Sequence, residues 1–416
     1  MKEVWFLTSE LEGERASSFR QERWCRVFLD AGATSLHIFN LRGAFGHSDI
    51  RCMTHEQLSE FRREGIARHA GIQASVREGV AARILRRIKH LLLVDLYLPN
   101  VLKVLTHLHR LLGQRTEPVV LMASSPPFSV AVVGALLKLL HRRKVVLAID
   151  MRDAWALHNA LGGIKPLKRA IERSVLRRAD YVTTVSYGLA DEFKAAYGTD
   201  VSVMYNVATH YLDIPKPQPA DWARISPEIQ PDRRQLVYTG SIPEGHYDLE
   251  SIVGSVVRLR KLQPQLADRL QLVFVGACDE VRRVAATQQV TPGDIVFINH
   301  LPHATCRSVQ ASAYALLFLA HFGKNNAGVV STKLFEYLCL GQPVLPLSLH
   351  EGSDVDGLLR RYCGHSVNAH SLDEMTTTLA RVAHDNSWLP RLDDPGRVRE
   401  LLDDYRTYAR NLIGPN

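Results

Sequence analysis

Short apolar runs alternate with longer segments of helical period along the first half of this chain. Residues 4–8 predict a strand, residues 19–31 a helix that ends near Gly32, and residues 35–39 a second strand. Further buried strands are predicted at residues 119–123 and 145–149, within 178–186, and at 203–206. This order of strand, helix and strand predicts a doubly wound α/β sheet, in which ligands bind near the carboxyl ends of the strands.

The same pattern begins again after a segment that is rich in proline. Five prolines within residues 207–234 interrupt regular structure, so we predict a linker there. Strands are then predicted at residues 236–242, 272–276, 295–300, 313–319 and 343–347. We therefore expect an N-terminal domain over residues 1–206 and a second domain over 235–387. Residues 388–416 are expected to form a tail with a final helix at 397–413.

The helix predicted from Ser331 to Gly341 has the clearest candidate chemistry. A hydroxyl at Ser331 or Thr332 caps its start, and Gly341 ends it. Because a helix N-terminus and a lysine both attract phosphate, we expect Lys333 to bind a phosphate group. A carboxylate one turn later, Glu336, can accept hydrogen bonds from ribose hydroxyls. The segment thus indicates a nucleotide-diphosphate site, and the alternative is an ordinary amphipathic helix before a buried strand.

Charged residues follow the apolar strand predicted at 145–149. Asp150, Arg152 and Asp153 would lie at its carboxyl end, where functional side chains of parallel sheets often gather. The alternative is a capped helix start with a local ion pair.

A basic amphipathic helix is predicted at residues 79–92. Its apolar face is opposite a face that contains four strongly basic residues: Arg83, Arg86, Arg87 and Lys89. Such a helix can lie on an anionic membrane surface, or it can pack its apolar face on the protein core.

The composition narrows the class of protein. The 416 residues are 46% hydrophobic and 23% charged, which is typical of a soluble globular protein. The net charge of +8 favours an acidic partner, or it only aids solubility. The six cysteines form no C-x-x-C pair, which argues against a zinc site and favours reduced thiols in the cytoplasm. We expect no signal peptide and no membrane-spanning helix.

Several catalytic motifs are missing. No G-x-G-x-x-G follows a strand, and there is no Walker A sequence, H-E-x-x-H or G-x-S-x-G. These absences disfavour nicotinamide oxidoreductases, P-loop enzymes, zincins and α/β-hydrolases.

Asp354 and Asp356 form an Asp-x-Asp that could bind a divalent cation, although acidic residues at a helix start explain it more simply. Aromatic residues are not interleaved with a basic stripe, which argues against a nucleic-acid partner.

Three motifs resemble those of GT-B glycosyltransferases, in the large retaining family called family four. The sequence from Ser331 to Val344 fits Ser-Thr-Lys-Leu-Phe-Glu-Tyr-Leu-x-x-Gly-x-Pro-Val, which is similar to the donor-site motif of that family. Residues 150–155 resemble the Asp-x-Arg-Asp-x-Trp segment of bacterial enzymes of polysaccharide synthesis. Residues 179–186 resemble the Ala-Asp-x-Val-x-x-Val-Ser strand of the family.

The resemblance implies an α/β protein with two Rossmann-like domains that face each other across a cleft. It implies transfer of a sugar from a UDP- or GDP-linked donor to a hydroxyl acceptor, with retention and without a metal or other cofactor. The acceptor would be a glycan, in some relatives lipid-linked, in cell-surface polysaccharide synthesis. The expected location is the cytoplasm or the inner face of the plasma membrane, and the final helix is expected to return to the first domain.

The resemblance also implies which residues contact the substrates. Asp150, Arg152 and Asp153 would line the acceptor side. The implied donor-binding residues are Gly240, Ser241, Gly276, His300, Phe322, Gly323, Asn325, Gly328, Ser331, Thr332, Lys333 and Glu336. Ser241 stands where relatives often have arginine, and Gly328 where they have a glutamate that contacts the donor sugar. Lys333 or backbone amides near Gly240 must then bind more of the phosphate charge.

Three alternatives to a transferase remain open from the sequence. A nucleotide-sugar epimerase with the GT-B fold would release a free sugar product without any acceptor. A non-enzymatic binder of membranes or nucleic acid would use the basic segment 79–92 and would not need Lys333 and Glu336. A cofactor-dependent oxidoreductase is disfavoured by the missing glycine fingerprint.

Overall fold

The computed structural model describes residues 3–8, 16–40, 98–158, 164–321 and 328–414. Its internal contacts divide the chain into two units. Unit 1 contains residues 1–206 together with 400–416, and unit 2 contains residues 207–399. The segment predicted as a linker, 207–234, belongs to unit 2, and the end of the C-terminal tail belongs to unit 1.

Unit 1 is built on a sheet of six parallel strands in the order β2-β1-β3-β4-β5-β6. The strands are β1 (Glu3–Thr8), β2 (Ser35–Asn40), β3 (Val119–Ser125), β4 (Val145–Met151), β5 (Tyr181–Thr184) and β6 (Ser202–Val203). The described helices of this unit are α1 (Ala16–Asp30), α2 (Leu98–Gly113), α3 (Phe128–Leu140), α4 (Lys165–Leu176), α5 (Tyr187–Tyr197) and the C-terminal α14 (Leu401–Ile413).

The central strands of unit 1 are almost continuously apolar because helices cover both faces of a parallel sheet. All seven residues of β3 are buried. Val120 pairs with Val4 on one side and with Val146 on the other. The strands predicted at 4–8, 35–39, 119–123 and 145–149 and within 178–186 are present, and β4 extends two residues beyond its predicted end, through Asp150 to Met151. The strand predicted at 203–206 is wrong beyond its first residue, because β6 ends at Val203.

Unit 2 is built on a sheet of five parallel strands in the order β11-β10-β7-β8-β9. The strands are β7 (Arg234–Thr239), β8 (Leu270–Val275), β9 (Ile295–Ile298), β10 (Ala315–Leu319) and β11 (Val344–Leu347). Its helices are α6 (Trp222–Ile225), α7 (Leu249–Leu262), α8 (Pro264–Ala267), α9 (Asp279–Thr287), α10 (His303–Ser312), α11 (Thr332–Leu340), α12 (Asp354–Cys363) and α13 (Leu372–Val382). Short 3-10 helices lie at Thr209–Leu212 and Pro395–Glu400.

These two parallel sheets, each alternating with helices along the chain, confirm the predicted α/β class. Within each sheet the carboxyl ends of the parallel strands lie at one edge. Arg152 and Asp153 follow β4 at that edge in unit 1, and Gly240, Ser241 and Gly276 follow β7 and β8 in unit 2.

Candidate functional site

The candidate donor helix α11 begins and ends where the sequence predicts. The Ser331 hydroxyl accepts a hydrogen bond from the Lys333 amide at 3.4 Å, so Ser331 is the N-cap. Gly341 ends the helix in the left-handed conformation, with φ 64°. Lys333 and Glu336 are half-buried, while Leu334, Phe335 and Tyr337 between and beside them are fully buried. The apolar side of the helix thus fixes it on the sheet and leaves Lys333 and Glu336 partly exposed.

Lys333 lies directly against the loop that follows β7. A Cβ at Gly240 would lie only 2.4 Å from the Lys333 ammonium nitrogen and 2.5 Å from its Cε, and the nitrogen lies 5.7 Å from the centre of the Tyr238 ring. Gly240 has φ 131°, a region that side chains rarely adopt. Glycine at this position therefore gives the lysine room to lie over the end of the β-strand.

The turns after β7 and β8 approach each other closely. A Cβ at Gly276 would lie 2.6 Å from the carbonyl oxygen of Gly240. The Gly240 amide donates to Val275 O at 2.8 Å, and the Ile242 amide donates to Ala277 O at 2.9 Å. Because these amides already have partners within the sheet edge, Lys333 is a better candidate for the phosphate charge than the backbone at Gly240.

Glu336 has an aromatic neighbour that the sequence did not point to. Tyr211, in the 3-10 helix Thr209–Leu212, is 7% exposed, and burial followed by the Glu336 carboxylate raises the pKa of its phenol. Its hydroxyl also lies 2.9 Å from His303 Nε2, and the guanidinium of Arg307 lies 5.2 Å from its ring centre. The Tyr211 hydroxyl is therefore within hydrogen-bond reach of the Glu336 carboxylate.

Tyr211 could not be found from the sequence because it lies in the segment predicted as a linker. A single tyrosine among prolines has no period and no motif. Only the fold shows that this segment packs on α11.

A half-buried histidine follows β10 in the same unit. His321 contacts Tyr247, with ring centres 4.9 Å apart and ring planes tilted by 40°, and its ring centre lies 5.6 Å from that of His246. Burial, and then His246, lower the pKa of His321 to about 4. His321 is therefore neutral at neutral pH and can offer either a hydrogen-bond donor or an acceptor, but no positive charge.

In unit 1, Asp150 is fully buried inside β4. Arg20 on α1 donates two hydrogen bonds to its carboxylate, at 2.9 Å from Nε and 2.6 Å from Nη2. Ser124 and Thr183, on the flanking strands, donate at 3.1 and 2.9 Å. Burial alone would raise the pKa of Asp150, but Arg20 outweighs it and holds the pKa below its usual range.

The expected acceptor-side role of Asp150 is not supported by this geometry. Both of its oxygens are occupied and none of its surface is exposed, because β4 continues past residue 149 and turns the side chain inward. Arg20 extends the network by donating from Nη1 to Met204 O and to the Tyr405 hydroxyl, each at 2.5 Å. Asp150 thus stabilises the contact of α1, β4 and α14.

Arg152 and Asp153 lie beyond the strand, as predicted. The half-buried Arg152 donates to the carbonyl oxygens of Ser125 and Pro126, at 3.2 and 2.6 Å, which anchors the loop to the end of β3. Asp153 is exposed. Residues 152–158 form bends and turns, and α4 starts only at Lys165, so the alternative of a helix start at this position is wrong.

The comparison with protein families gives one match. Residues 50–206 match the model of the glycosyl transferase 4-like domain. A search of curated proteins found no match.

Solved structures resemble the whole chain. A structure described as OtsA in the apo form superposes with a TM-score of 0.56 at 10% identity, covering 99% of this chain and 97% of the other. An E. coli structure, described as trehalose-6-phosphate bound with UDP-2-fluoro glucose, gives a TM-score of 0.59 at 11% identity and covers 100% and 99%. The N-terminal domain of trehalose-6-phosphate phosphatase from Candida albicans gives 0.52 at 9%, with 99% and 95% covered.

The chain has the GT-B fold, and its residues 50–206 are similar to the glycosyl transferase 4-like domain. The predicted resemblance to family four and the predicted pair of Rossmann-like domains are thereby confirmed.

The remaining donor-binding residues that the resemblance implies differ in their exposure. His300 is exposed two residues after β9, and the exposed Ser241 accepts at its carbonyl from the Tyr238 hydroxyl at 3.1 Å. Gly328 and Thr332 are half-buried beside the start of α11. Phe322, Gly323 and Asn325 lie outside the described residues, as does the basic segment 79–92.

The Asp-x-Asp at the start of α12 has local partners. Asp356 accepts from the Gly352 amide at 3.0 Å and from Arg360 at 3.1 Å, and Ser353 caps the helix. Within the described ranges, no group of three or more histidine, cysteine, aspartate or glutamate side chains is arranged to hold a metal ion. No helix among the described residues has the length and apolarity needed to cross a bilayer.

Proposed function

We propose that this GT-B protein transfers a sugar from a nucleotide-diphosphate sugar to a hydroxyl acceptor. The observation on which the proposal rests is the arrangement of α11 in unit 2. Lys333 lies over the end of β7 at the start of the helix, and Glu336 lies one turn further, partly exposed. A cation beside a helix N-terminus can bind a diphosphate, and a carboxylate one helical turn further can accept hydrogen bonds from the two hydroxyls of a ribose.

This arrangement also fits what the chemistry requires. When the bond between sugar and diphosphate breaks, negative charge grows on the leaving group. Lys333, together with the first-turn amides of α11, would stabilise that charge. The half-buried position of Lys333 strengthens the attraction because less water screens it.

A solved structure with a similar fold supports a UDP-linked sugar as the donor. One structure that superposes over the whole chain is described as bound to UDP-2-fluoro glucose, so UDP is the first nucleotide to test and GDP the second. Retention of the anomeric configuration and the absence of a metal requirement are proposed from the family resemblance. A glycan acceptor, lipid-linked or free, in cell-surface polysaccharide synthesis is proposed on the same ground.

For the acceptor side, the proposal keeps Arg152 and Asp153 and gives up Asp150. Asp153 is exposed at the carboxyl end of a central strand, and Arg152 anchors its loop to the end of β3. A carboxylate in such a position can orient an acceptor hydroxyl, since correct placement of the reacting groups supplies several kcal/mol.

The first experiment measures nucleotide binding. UDP and GDP should raise the melting temperature of the wild-type protein, because a ligand that binds only the folded state stabilises it. Lys333→Ala should weaken nucleotide affinity at least tenfold, as expected when a charged hydrogen-bond partner of about 1.5–3 kcal/mol is lost. Lys261→Ala, at an exposed lysine of α7 in the same unit, is the matched control and should bind as the wild type does.

The second experiment identifies the reaction. The protein is incubated with UDP- and GDP-sugars, with and without glycan acceptors, and the products are separated. A glycosylated product that forms only with an acceptor supports the transferase. An isomerised sugar that forms without an acceptor would show an epimerase instead, and unchanged binding in Lys333→Ala would remove the donor site from α11.

A further inference from the structure

An open apolar groove lies between α3 and α4 of unit 1, outside the candidate site. Its volume is about 360 Å³, and its lining includes Val132, Leu136, Leu139, Ile171 and Val175, with Arg178 at its edge. The two helices pack side by side, and the groove runs along the protein surface where they meet. It contains almost no polar lining besides Arg178 and Ser174.

Large leucines stand exposed around this groove. Leu139 is 59% exposed and Leu140 is 55% exposed at the end of α3, and Leu167 is 50% exposed in the first turn of α4. Leu167 precedes Ile171 by one helical turn, so it extends the apolar ridge that lines the groove. A single exposed leucine is ordinary, but several leucines beside an apolar groove form a patch that favours contact with another apolar surface.

The exposed charges beside the apolar patch are positive. Lys165, Arg169, Arg173 and Arg177 follow one another at intervals of four residues, and all four are exposed. They form a row on the flank of α4 that is turned away from the groove, where Arg173 donates to the Ala196 carbonyl at 3.1 Å. Two further exposed arginines, Arg142 and Arg143, follow the end of α3.

The acidic residues near this face do not neutralise it. Glu172, on α4 itself, is fully buried, where its carboxylate accepts from the Tyr197 hydroxyl at 2.5 Å and from the Ala156 amide at 3.2 Å. Asp180, past the end of α4, is paired with Lys138 at 2.6 Å. Like charges at four-residue spacing repel one another along a helix, so this row is unfavourable until an anion approaches it.

We propose that the α3–α4 face docks on an anionic lipid bilayer. The leucines and the groove enter the boundary between headgroups and acyl chains, and the basic row contacts the anionic headgroups. The combination of both features points to a bilayer. Nucleic acid would bind the arginines but gain nothing from exposed leucines, and an apolar protein surface would bind the leucines but not a row of positive charge. This inference does not depend on the sugar transfer proposed above, and it uses a different surface from the segment 79–92.

The test uses the full-length protein in co-sedimentation with two kinds of vesicle. One contains phosphatidylglycerol and phosphatidylcholine, and the other contains phosphatidylcholine alone. Binding is expected to the first kind and to weaken with added salt, because exposed charges are screened. Each basic residue near an anionic surface contributes about fivefold in affinity, so the variant with Arg142, Arg143, Arg169 and Arg177 changed to Gln should lose at least a hundredfold.

Two further variants separate charge from apolar contact. The variant with Leu139, Leu140 and Leu167 changed to Ser keeps every charge and should still lose most of its vesicle binding. The variant with Lys216, Lys261, Arg269 and Arg391 changed to Gln removes the same charge from exposed positions of unit 2 and should bind nearly as the wild type does. Circular dichroism and melting temperature confirm that each variant folds.

Several results would overturn the proposal. They are absence of wild-type binding to anionic vesicles, equal binding to both kinds of vesicle, and equal losses in the unit 1 and unit 2 charge variants. Loss of binding only when Arg83, Arg86, Arg87 and Lys89 become Gln would transfer the role to the segment 79–92. A wild-type dimer that the leucine variant converts to a monomer, without any vesicle binding, would show that a second copy covers this face.

Discussion

Asp150 in unit 1 and Glu336 in unit 2 are both carboxylates that the sequence places near the ends of regular elements, but the fold gives them opposite surroundings. Asp150 is completely buried and accepts hydrogen bonds from Arg20, Ser124 and Thr183. Glu336 is partly exposed and has Tyr211 as a neighbour. A buried carboxylate with all its partners inside the protein stabilises the fold, whereas a partly exposed one has oxygens available for a ligand.

The partners of Asp150 explain why this buried carboxylate stays charged. A buried ion is expensive to remove from water unless an opposite charge and hydrogen bonds replace the water. Arg20 supplies both to Asp150, with its own remaining nitrogen directed at Met204 O and Tyr405. His321 shows the opposite case, since burial, and then the neighbouring His246, lower its pKa to about 4.

The largest effect is expected from removing the charge of Asp150. Asp150→Asn leaves the Arg20 guanidinium buried without a counter-charge, which should destabilise the fold by about 3–5 kcal/mol. For a unit of this size the melting temperature should fall by roughly 10 °C. Because the carboxyl pKa is lowered in the folded state, its stabilisation is present above about pH 4 and is lost as the pH falls below that value. Thermal melts of both proteins at pH 7 and pH 3 measure this.

Asp153→Asn is the matched control, because it makes the same chemical change at an exposed position three residues away. It should leave the melting temperature almost unchanged and reduce sugar transfer without affecting nucleotide affinity. If Asp150→Asn instead kept its stability and lost transfer, the distinction drawn between the buried and the exposed carboxylate would be wrong.

A smaller effect is expected from Glu336. Glu336→Gln keeps the size of the side chain but removes the charge that would accept from ribose hydroxyls, so UDP affinity should fall about tenfold or more, equivalent to roughly 1.5–3 kcal/mol. Titration calorimetry measures the change, with Glu351→Gln at an exposed position of the same unit as control. UDP binding that is the same in Glu336→Gln and in the wild type would contradict the ribose assignment.

The neutral state of His321 predicts a pH effect in a window separate from that of Asp150. The unfolded chain binds a proton at this residue below about pH 6.5, but the folded protein does so only near pH 4. Stability should therefore fall as the pH drops from 6.5 towards 4, by about 2 kcal/mol at pH 5. Urea denaturation at pH 7 and pH 5 should show a smaller loss in His321→Asn than in the wild type, while His300→Asn, at an exposed histidine, should not change it.

The smallest effect is expected from Tyr211→Phe. The change removes one hydroxyl next to Glu336 and should weaken UDP binding by a few fold, corresponding to about 1 kcal/mol. The fold should remain intact because the ring still packs under Arg307. Tyr314→Phe, elsewhere in unit 2, serves as the control, and an equal loss of affinity in both variants would argue against a specific role for Tyr211.

The sequence by itself determined the α/β class, the positions of the main strands and the ends of α11. These depend on local causes, namely apolar runs, the hydroxyl of Ser331 and the left-handed conformation of Gly341. It also determined that Lys333 and Glu336 lie one turn apart on that helix, because helical spacing follows from the chain alone.

Only the tertiary structure decided which charged residues are internal. Whether Asp150 faces water depended on two more residues of β4 and on Arg20, which is 130 positions away in the chain. The partner of Glu336 came from a segment that looked like a linker, and the close contact of Lys333 with Gly240 joins residues 93 positions apart. Burial and pairing of this kind depend on contacts between distant segments, and a local pattern of residues has no information on those contacts.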